Sequence, residues 1–193
     1  MQQVNIFTTS IFTGYVSIVN KSKLIEYVLQ EESHASGEQL SNHGGWQSSS
    51  MSQQNCPVIF NDLISEVYKN VEEYYQTIGV NRSPELGNFW INVNRKHNYN
   101  SEHLHPHSLA SVCVYLKVPK GNAGSLKFIR DDVFHSIWDM HHTPSNTETY
   151  STYAVAPEEQ QIVIFPAYVR HMVMPNLTND QDDARISLAF NFI

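Results

Sequence analysis

Three imidazoles stand at alternate positions in His103-Leu104-His105-Pro106-His107, directly ahead of an apolar run from Leu109 to Val118. In an extended chain, residues two apart project from one face, so His103 and His105 can offer neutral ring nitrogens to a single metal ion. A third ligand must then come from elsewhere. His171, within Phe165-Pro166-Ala167-Tyr168-Val169-Arg170-His171-Met172-Val173-Met174-Pro175-Asn176, is the candidate, on a short strand that could lie beside the first. Fourteen residues further on, Arg185-Ile186-Ser187 places a guanidinium and a hydroxyl at strand spacing, a pair suited to gripping one carboxylate.

Each of these residues has a plainer reading. His107 shares the face of His103 and His105 if the chain stays extended past Pro106, which makes it the rival for second ligand. The chain has 10 histidines, and His34, His43, His97 and His135 read as hydrogen-bonded or solvent-facing side chains. Adjacent His141 and His142 point to opposite faces of a strand and suit a structural or supporting role. Arg185 by pattern alone could be a surface ion pair. Cys56 and Cys113 are too few and too far apart for a disulfide framework or a thiolate zinc site.

The elements that must position these residues follow from periodicity. Val4 to Val16 reads as an extended or edge strand that breaks at Gly14. Lys21 to Glu31 places Leu24, Ile25, Val28 and Leu29 at helical spacing, with Asn20 or Ser22 as N-cap. Ser33 to Gln54 has loop composition, although Gly44-Gly45-Trp46 argues for an ordered turn with a buried aromatic. The stripe Leu63, Ile64, Val67, Val71, Tyr74, Tyr75 and Ile78 marks a longer helix over about Phe60 to Thr77, capped by Gly79, that should pack against a sheet.

From Pro84 onward the period is two. Phe89, Ile91 and Val93 alternate with Trp90, Asn92 and Asn94, as on a strand facing a polar cavity. β-Rich runs follow at Leu109–Val118, Ser125–Ile129, Tyr150–Val155, Gln161–Phe165, Val169–Met174 and Ala184–Phe192, broken by Gly, Pro, Asn and Asp. In the last, Ile186, Leu188, Phe190 and Phe192 form a core face against Arg185, Ser187, Ala189 and Asn191. Two helices and about seven strands make a mainly β fold with flanking helices, a jelly roll. One domain over residues 1–193 is expected, with a helical buttress at about 20–80 and the jelly-roll core at about 87–193.

The ordered set His-x-His, a distant His followed by Pro-Asn, and Arg-x-Ser-x-x-Phe-Asn resembles the iron(II)/2-oxoglutarate oxygenases of bacteria and phages. Ser41-Asn42-His43-Gly44-Gly45-Trp46-Gln47-Ser48 and Trp90-Ile91-Asn92-Val93-Asn94 add to the likeness, which covers roughly the C-terminal two-thirds. The resemblance implies a cupin-like double-stranded β-helix and an Fe(II) ion held by His103, His105 and His171. It further implies 2-oxoglutarate as co-substrate, anchored by Arg185 and Ser187, with Asn92, Asn94 and Tyr115 adding hydrogen bonds in the cavity. The default reaction is hydroxylation of a small-molecule or protein substrate, with release of succinate and carbon dioxide. One departure concerns charge, because most such enzymes use two histidines and one carboxylate, whereas here His105 stands at the carboxylate position. Glu102, Asp131 and Asp132 lack the spacing to replace it. A second departure is Glu158-Glu159-Gln160-Gln161, where the family tends to a Gly-Asp turn.

Composition narrows the rest. The 193 residues carry a net charge of −7 with scattered cations, which excludes a nucleic-acid binder built on a basic stripe. No apolar run approaches the ~20 residues of a membrane span, so a cytoplasmic protein is expected and a homodimer is a candidate assembly. Two rival functions are a cupin-like three-histidine metalloenzyme that does not use 2-oxoglutarate, and a non-catalytic jelly-roll binding or virion protein. Arg185 and Ser187 argue against the first. A structural metal site closed by four ligands would be needed for the second, and only three are in phase.

Overall fold

The computed structural model describes residues 1–2, 4–6, 8–131, 150–179 and 183–193. The order begins with β1 (Phe12–Tyr15), α1 (Lys21–His34), β2 (Asn42–His43) and β3 (Trp46–Gln47). A 3-10 turn (Val58–Phe60) leads into α2 (Asn61–Thr77), followed by β4 (Leu86–Asn94), β5 (Tyr99–His103) and β6 (Ala110–Lys117). Then come β7 (Leu126–Ile129), β8 (Thr152–Val155), β9 (Gln161–Pro166), β10 (His171–Val173) and β11 (Arg185–Phe192). They form two antiparallel sheets, β1-β9-β6-β11-β4-β3 and β2-β5-β10-β7-β8.

The larger sheet has two different faces because its strands alternate in step. Val112, Val114 and Leu116 of β6, Phe89, Ile91 and Val93 of β4, and Ile186, Leu188, Phe190 and Phe192 of β11 are all buried in one core with both helices. Leu24 and Val28 of α1 and Leu63, Ile64, Val67, Val71, Tyr74 and Tyr75 of α2 complete it. Each such aliphatic side chain, fully buried, stabilises the fold by roughly 1.5–3 kcal/mol. The opposite face looks toward the smaller sheet, where Tyr115, Val163 and Phe165 meet Leu126, Phe128 and Val155. β11 lies at the centre, with Ser187 opposite both Asn92 and Tyr115.

Several expectations need adjustment. The first strand is only Phe12–Tyr15 and runs through Gly14, pairing with the edge of β9. Asn20 is the N-cap of α1 by position, but its side chain makes no capping bond, and Ser22 lies inside the helix. α2 ends at Thr77 with Ile78, not Gly79, as its C-cap; Gly79 follows at φ of 79°, and Val80 N–H bonds to Tyr75 O at 2.8 Å. The stretch around residues 42–47 is more than a loop, since β2 joins the smaller sheet and β3 the larger. Gly44 takes φ of 73° and a Cβ on Gly45 would sit 2.9 Å from Asn94 Nδ2, which explains two glycines at this crossing. Trp46 is half-buried, its indole N–H bonded to Ala35 O at 2.9 Å. Asp132, His135, His141 and His142 lie outside the described residues.

The helix–sheet layer carries a direct test. Leu63→Ala should lower the unfolding free energy by about 2–5 kcal/mol in urea denaturation, whereas Glu72→Ala on the exposed side of α2 should change it by less than about 0.5 kcal/mol. Equal effects at the two positions would contradict the packing described.

Candidate functional site

His103 ends β5 and His171 opens β10, and the two are direct partners across the antiparallel pair. His105 lies beyond β5, in a loop held by its own N–H to Ala167 O at 3.0 Å and by Ala167 N–H to Leu109 O at 3.0 Å. The three rings converge, with centroid separations of 4.3 Å for His103–His171 and 5.0 Å for each of the other pairs. One nitrogen from each lies within 4.8 Å of the others. His107 does not join them. Pro106 interrupts the extended path, His107 adopts φ of 68° in a turn, and its side chain is exposed.

Backbone carbonyls set the tautomers. His103 Nδ1 lies 2.7 Å from Ser101 O and His171 Nδ1 lies 2.8 Å from Val169 O. A carbonyl only accepts, so both Nδ1 atoms carry the proton and both Nε2 lone pairs are left for the cluster. His105 Nε2 is 3.2 Å from His171 Nε2, a separation that two bare lone pairs cannot hold without a proton or a cation between them. Burial lowers the pKa of all three rings, to about 4 at His105 and about 3 at His171, with mutual repulsion adding to the effect at those two. They are neutral at physiological pH, the state a metal requires.

The same cavity is lined by Asn92, Tyr115, Arg185 and Ser187, together with Ser41, Trp90, Ser111 and Cys113. Arg185 is 1 % exposed, and among the described residues no carboxylate pairs with it. Its Nη1 donates to Ala123 O at 2.5 Å and Gly124 O at 2.8 Å, while its buried Nε has no partner. Gly124 makes this approach possible. At φ of 81°, a Cβ there would lie 2.1 Å from Met174 O and 2.7 Å from Arg185 Nη1. Tyr115 is buried with its hydroxyl likewise unpartnered, and desolvation raises its pKa well above the ordinary value, so it stays a donor. Asn92 Oδ1 is also unpartnered, and a half-turn of the amide would present Nδ2 instead. A buried cation beside orphaned donors describes a receptor for a carboxylate.

Other residues singled out by sequence have different places. Asn94 is not in the cavity wall; its carbonyl accepts from Asn176 Nδ2 at 3.0 Å, and Asn176 is fully buried. The Pro-Asn signature is therefore a lock on the chain after β10. Glu102 and Asp131 both pair with Arg170 and do not join the histidines. The Glu158–Gln161 segment is a turn, closed by Gln161 N–H to Glu158 O at 3.1 Å. Sequence reading missed Cys113 and Ser111, although the alternation of β6 places both on the face of Tyr115. Burial pushes the Cys113 thiol up to about 11, so it is neutral. The Ala123–Gly124 cradle carried no signal, because only folding brings it to Arg185.

Two antiparallel sheets enclosing a three-histidine cluster and a buried arginine form a double-stranded β-helix with the ligand set of a metal-dependent protein. The chain belongs to the family described as "Putative 2OG-Fe(II) oxygenase", whose family model matches residues 88–191. A search of curated proteins found no match. Among solved structures, a Pseudomonas putida prolyl-4-hydroxylase superposes with a TM-score of 0.67 at 12% identity, covering 96% of this chain and 92% of that one. A viral collagen prolyl hydroxylase from Paramecium Bursaria Chlorella virus-1, in complex with 2-oxoglutarate, gives 0.60 at 13% over 95% and 94%. HygX from Streptomyces hygroscopicus, with nickel and 2-oxoglutarate bound, gives 0.61 at 11% over 96% and 83%. At these identities the likeness establishes the fold. Among the described residues no helix is long and apolar enough to cross a membrane.

Two outcomes test the cluster. His103→Ala, His105→Ala and His171→Ala should each weaken zinc or iron(II) affinity by more than about 100-fold in calorimetric titration, with His107→Ala close to the parent. Because burial depresses the folded pKa values, metal affinity should fall much less from pH 8 to 6 than the loss on the order of 50-fold that three ordinary imidazoles would show. At His105 and His171 the unfolded chain takes up its protons near pH 6.5 and the folded chain only toward pH 3–4. Stability of the metal-free protein from this source is therefore complete above about pH 6.5 and falls as pH drops through that interval. A steep loss of affinity centred at pH 6.5 would refute the burial argument.

Proposed function

We propose that this chain is an iron(II)- and 2-oxoglutarate-dependent oxygenase that hydroxylates a substrate C–H bond. The balance is substrate C–H, 2-oxoglutarate and dioxygen in, and substrate C–OH, succinate and carbon dioxide out. The observation that carries this reading is the buried Arg185, without a described carboxylate partner, beside the orphaned Tyr115 hydroxyl in the cavity that also holds His103, His105 and His171.

The donor set fits the groups the family uses. His103, His105 and His171 would hold the iron through neutral nitrogens. When bound, that iron supplies the oxygen chemistry that couples decarboxylation to hydroxylation. The chain's own residues do the positioning. The Ser101 and Val169 carbonyls fix the His103 and His171 rings. Arg185 Nη1 is already engaged by two carbonyls, so its Nε edge is the one left for the distal carboxylate of 2-oxoglutarate. Tyr115 and Ser187 supply further hydroxyl donors, and Asn92 an amide. Phe165 and Phe128 pack against His171 and keep water from that side.

A cupin-like enzyme that does without 2-oxoglutarate would have no use for a buried guanidinium that meets no carboxylate among the described residues. A closed structural site would need a fourth ligand, and among the described residues the cluster contains three.

Removing the guanidinium tests the reading. Arg185→Leu should weaken 2-oxoglutarate binding to the zinc-loaded protein by about 3–5 kcal/mol, and Arg185→Lys should retain part of the affinity because charge survives without the fork. Metal binding should persist in both. Binding of 2-oxoglutarate to Arg185→Leu with parent affinity would show that the co-substrate is anchored elsewhere or not used.

A further inference from the structure

Arg185 belongs to one sheet and is gripped by the other. Its backbone lies in β11, which pairs with β4 and β6 of the larger sheet. Its tip is held by the carbonyls of Ala123 and Gly124. Both lie within residues 118–125, which carry the chain from β6 across to β7 of the smaller sheet. That sheet also bears His103 and His171, partners on β5 and β10. The guanidinium is therefore positioned from the same sheet as two of the metal-site histidines.

One ladder joins the histidine to the cradle. β7 sets Phe128 opposite His171 and Leu126 opposite Val173. Beyond the strand ends the pairing continues, with Met174 N–H donating to Ser125 O at 2.9 Å and Leu177 N–H to Asn122 O at 2.7 Å. Asn122 Oδ1 accepts from Gly124 N–H at 3.3 Å, a side chain closing the turn onto the backbone two residues on. Gly124 sits inside this closure at φ of 81°. A Cβ there would meet Met174 O at 2.1 Å, Pro175 O at 2.8 Å and Arg185 Nη1 at 2.7 Å. Only glycine lets the cradle lie against the 174–175 backbone and the guanidinium at once.

A backbone ladder has a fixed rise of about 3.3 Å per residue, whereas an arginine side chain left free samples many rotamers and could follow carboxylates at different depths. Two carbonyls on Nη1 remove that freedom. The separation between His171 and the open Nε edge then follows from the β7–β10 pairing rather than from the side chain of Arg185. We infer that this ladder, closed by Asn122 and Gly124, is a ruler that sets the chain length of the 2-oxo dicarboxylate the site accepts. Asn122 and Gly124 are positioning residues that act through Arg185. The inference rests on the co-substrate reading above, in which Arg185 takes the distal carboxylate.

The test titrates the zinc-loaded protein, in which no turnover occurs, with three acids by calorimetry. These are 2-oxoglutarate, oxaloacetate with one methylene fewer and 2-oxoadipate with one more. The parent should bind 2-oxoglutarate at least about tenfold more tightly than either of the others. In Gly124→Ala and in Asn122→Ala, 2-oxoglutarate should weaken more than the other two, so that the preference falls below about threefold, while zinc affinity is retained. Asn122→Asp keeps an acceptor for the Gly124 N–H and should keep the preference. Should Gly124→Ala fail to fold, seen as loss of zinc binding, the comparison of Asn122→Ala with Asn122→Asp decides. A parent that binds the three acids alike would overturn the ruler and leave the oxygenase reading intact. So would a zinc-binding alanine variant in which all three acids weaken equally or the preference is unchanged, or an Asn122→Asp that behaves as Asn122→Ala. Failure of 2-oxoglutarate to bind the parent would overturn both.

Discussion

A guanidinium removed from water must meet either negative charge or a sufficient set of acceptors, and the arrangement around Arg185 supplies only part of that requirement. Two carbonyls, from Ala123 and Gly124, take one nitrogen, and Nε is left bare. Placing a cation there is unfavourable unless an anion completes the site. The surrounding structure is shaped to tolerate the arrangement. β11 runs between β4 and β6, so Arg185 cannot swing out to solvent, and Gly124 removes the Cβ that would block the approach of its backbone. An incoming carboxylate would complete the site.

The larger sheet separates stability from chemistry by its pleat. Outward residues of β4, β6 and β11 bury against α1 and α2, and the core they form lies away from the cavity. Inward residues are consequently free to be polar. Asn92, Tyr115, Ser187 and Arg185 can occupy a strand face without weakening the main apolar layer, because that layer lies on the other side. The smaller sheet contributes His103 and His171 from paired strands, so the metal cluster spans the gap facing the wall that holds Arg185.

The replacement of a carboxylate by His105 has an electrostatic consequence. Three neutral imidazoles would leave the full charge of a bound divalent ion uncompensated, which would favour an anionic co-substrate beside it. Nearby acids do not offset this, since Glu102 and Asp131 are held by Arg170. Burial also keeps the imidazoles from protonating, which preserves the site under mildly acidic conditions.

Local pattern alone determined a good deal. The alternation of β4 and β11 placed Trp90, Asn92, Arg185 and Ser187 on a polar face, the 3.6-residue stripe defined α2 nearly to its ends, and the His-x-His spacing with distant His171 marked the cluster. These are properties of residues close in sequence, where side-chain direction follows from backbone period. Tertiary structure decided the rest. β5 and the β2–β3 crossing were not legible, because short polar strands exist only through pairing partners far along the chain. The choice of His105 over His107 depended on the Ala167 backbone clamping the loop, not on strand phase. The Ala123–Gly124 cradle of Arg185 is likewise set by contacts between distant segments, which no local periodicity encodes.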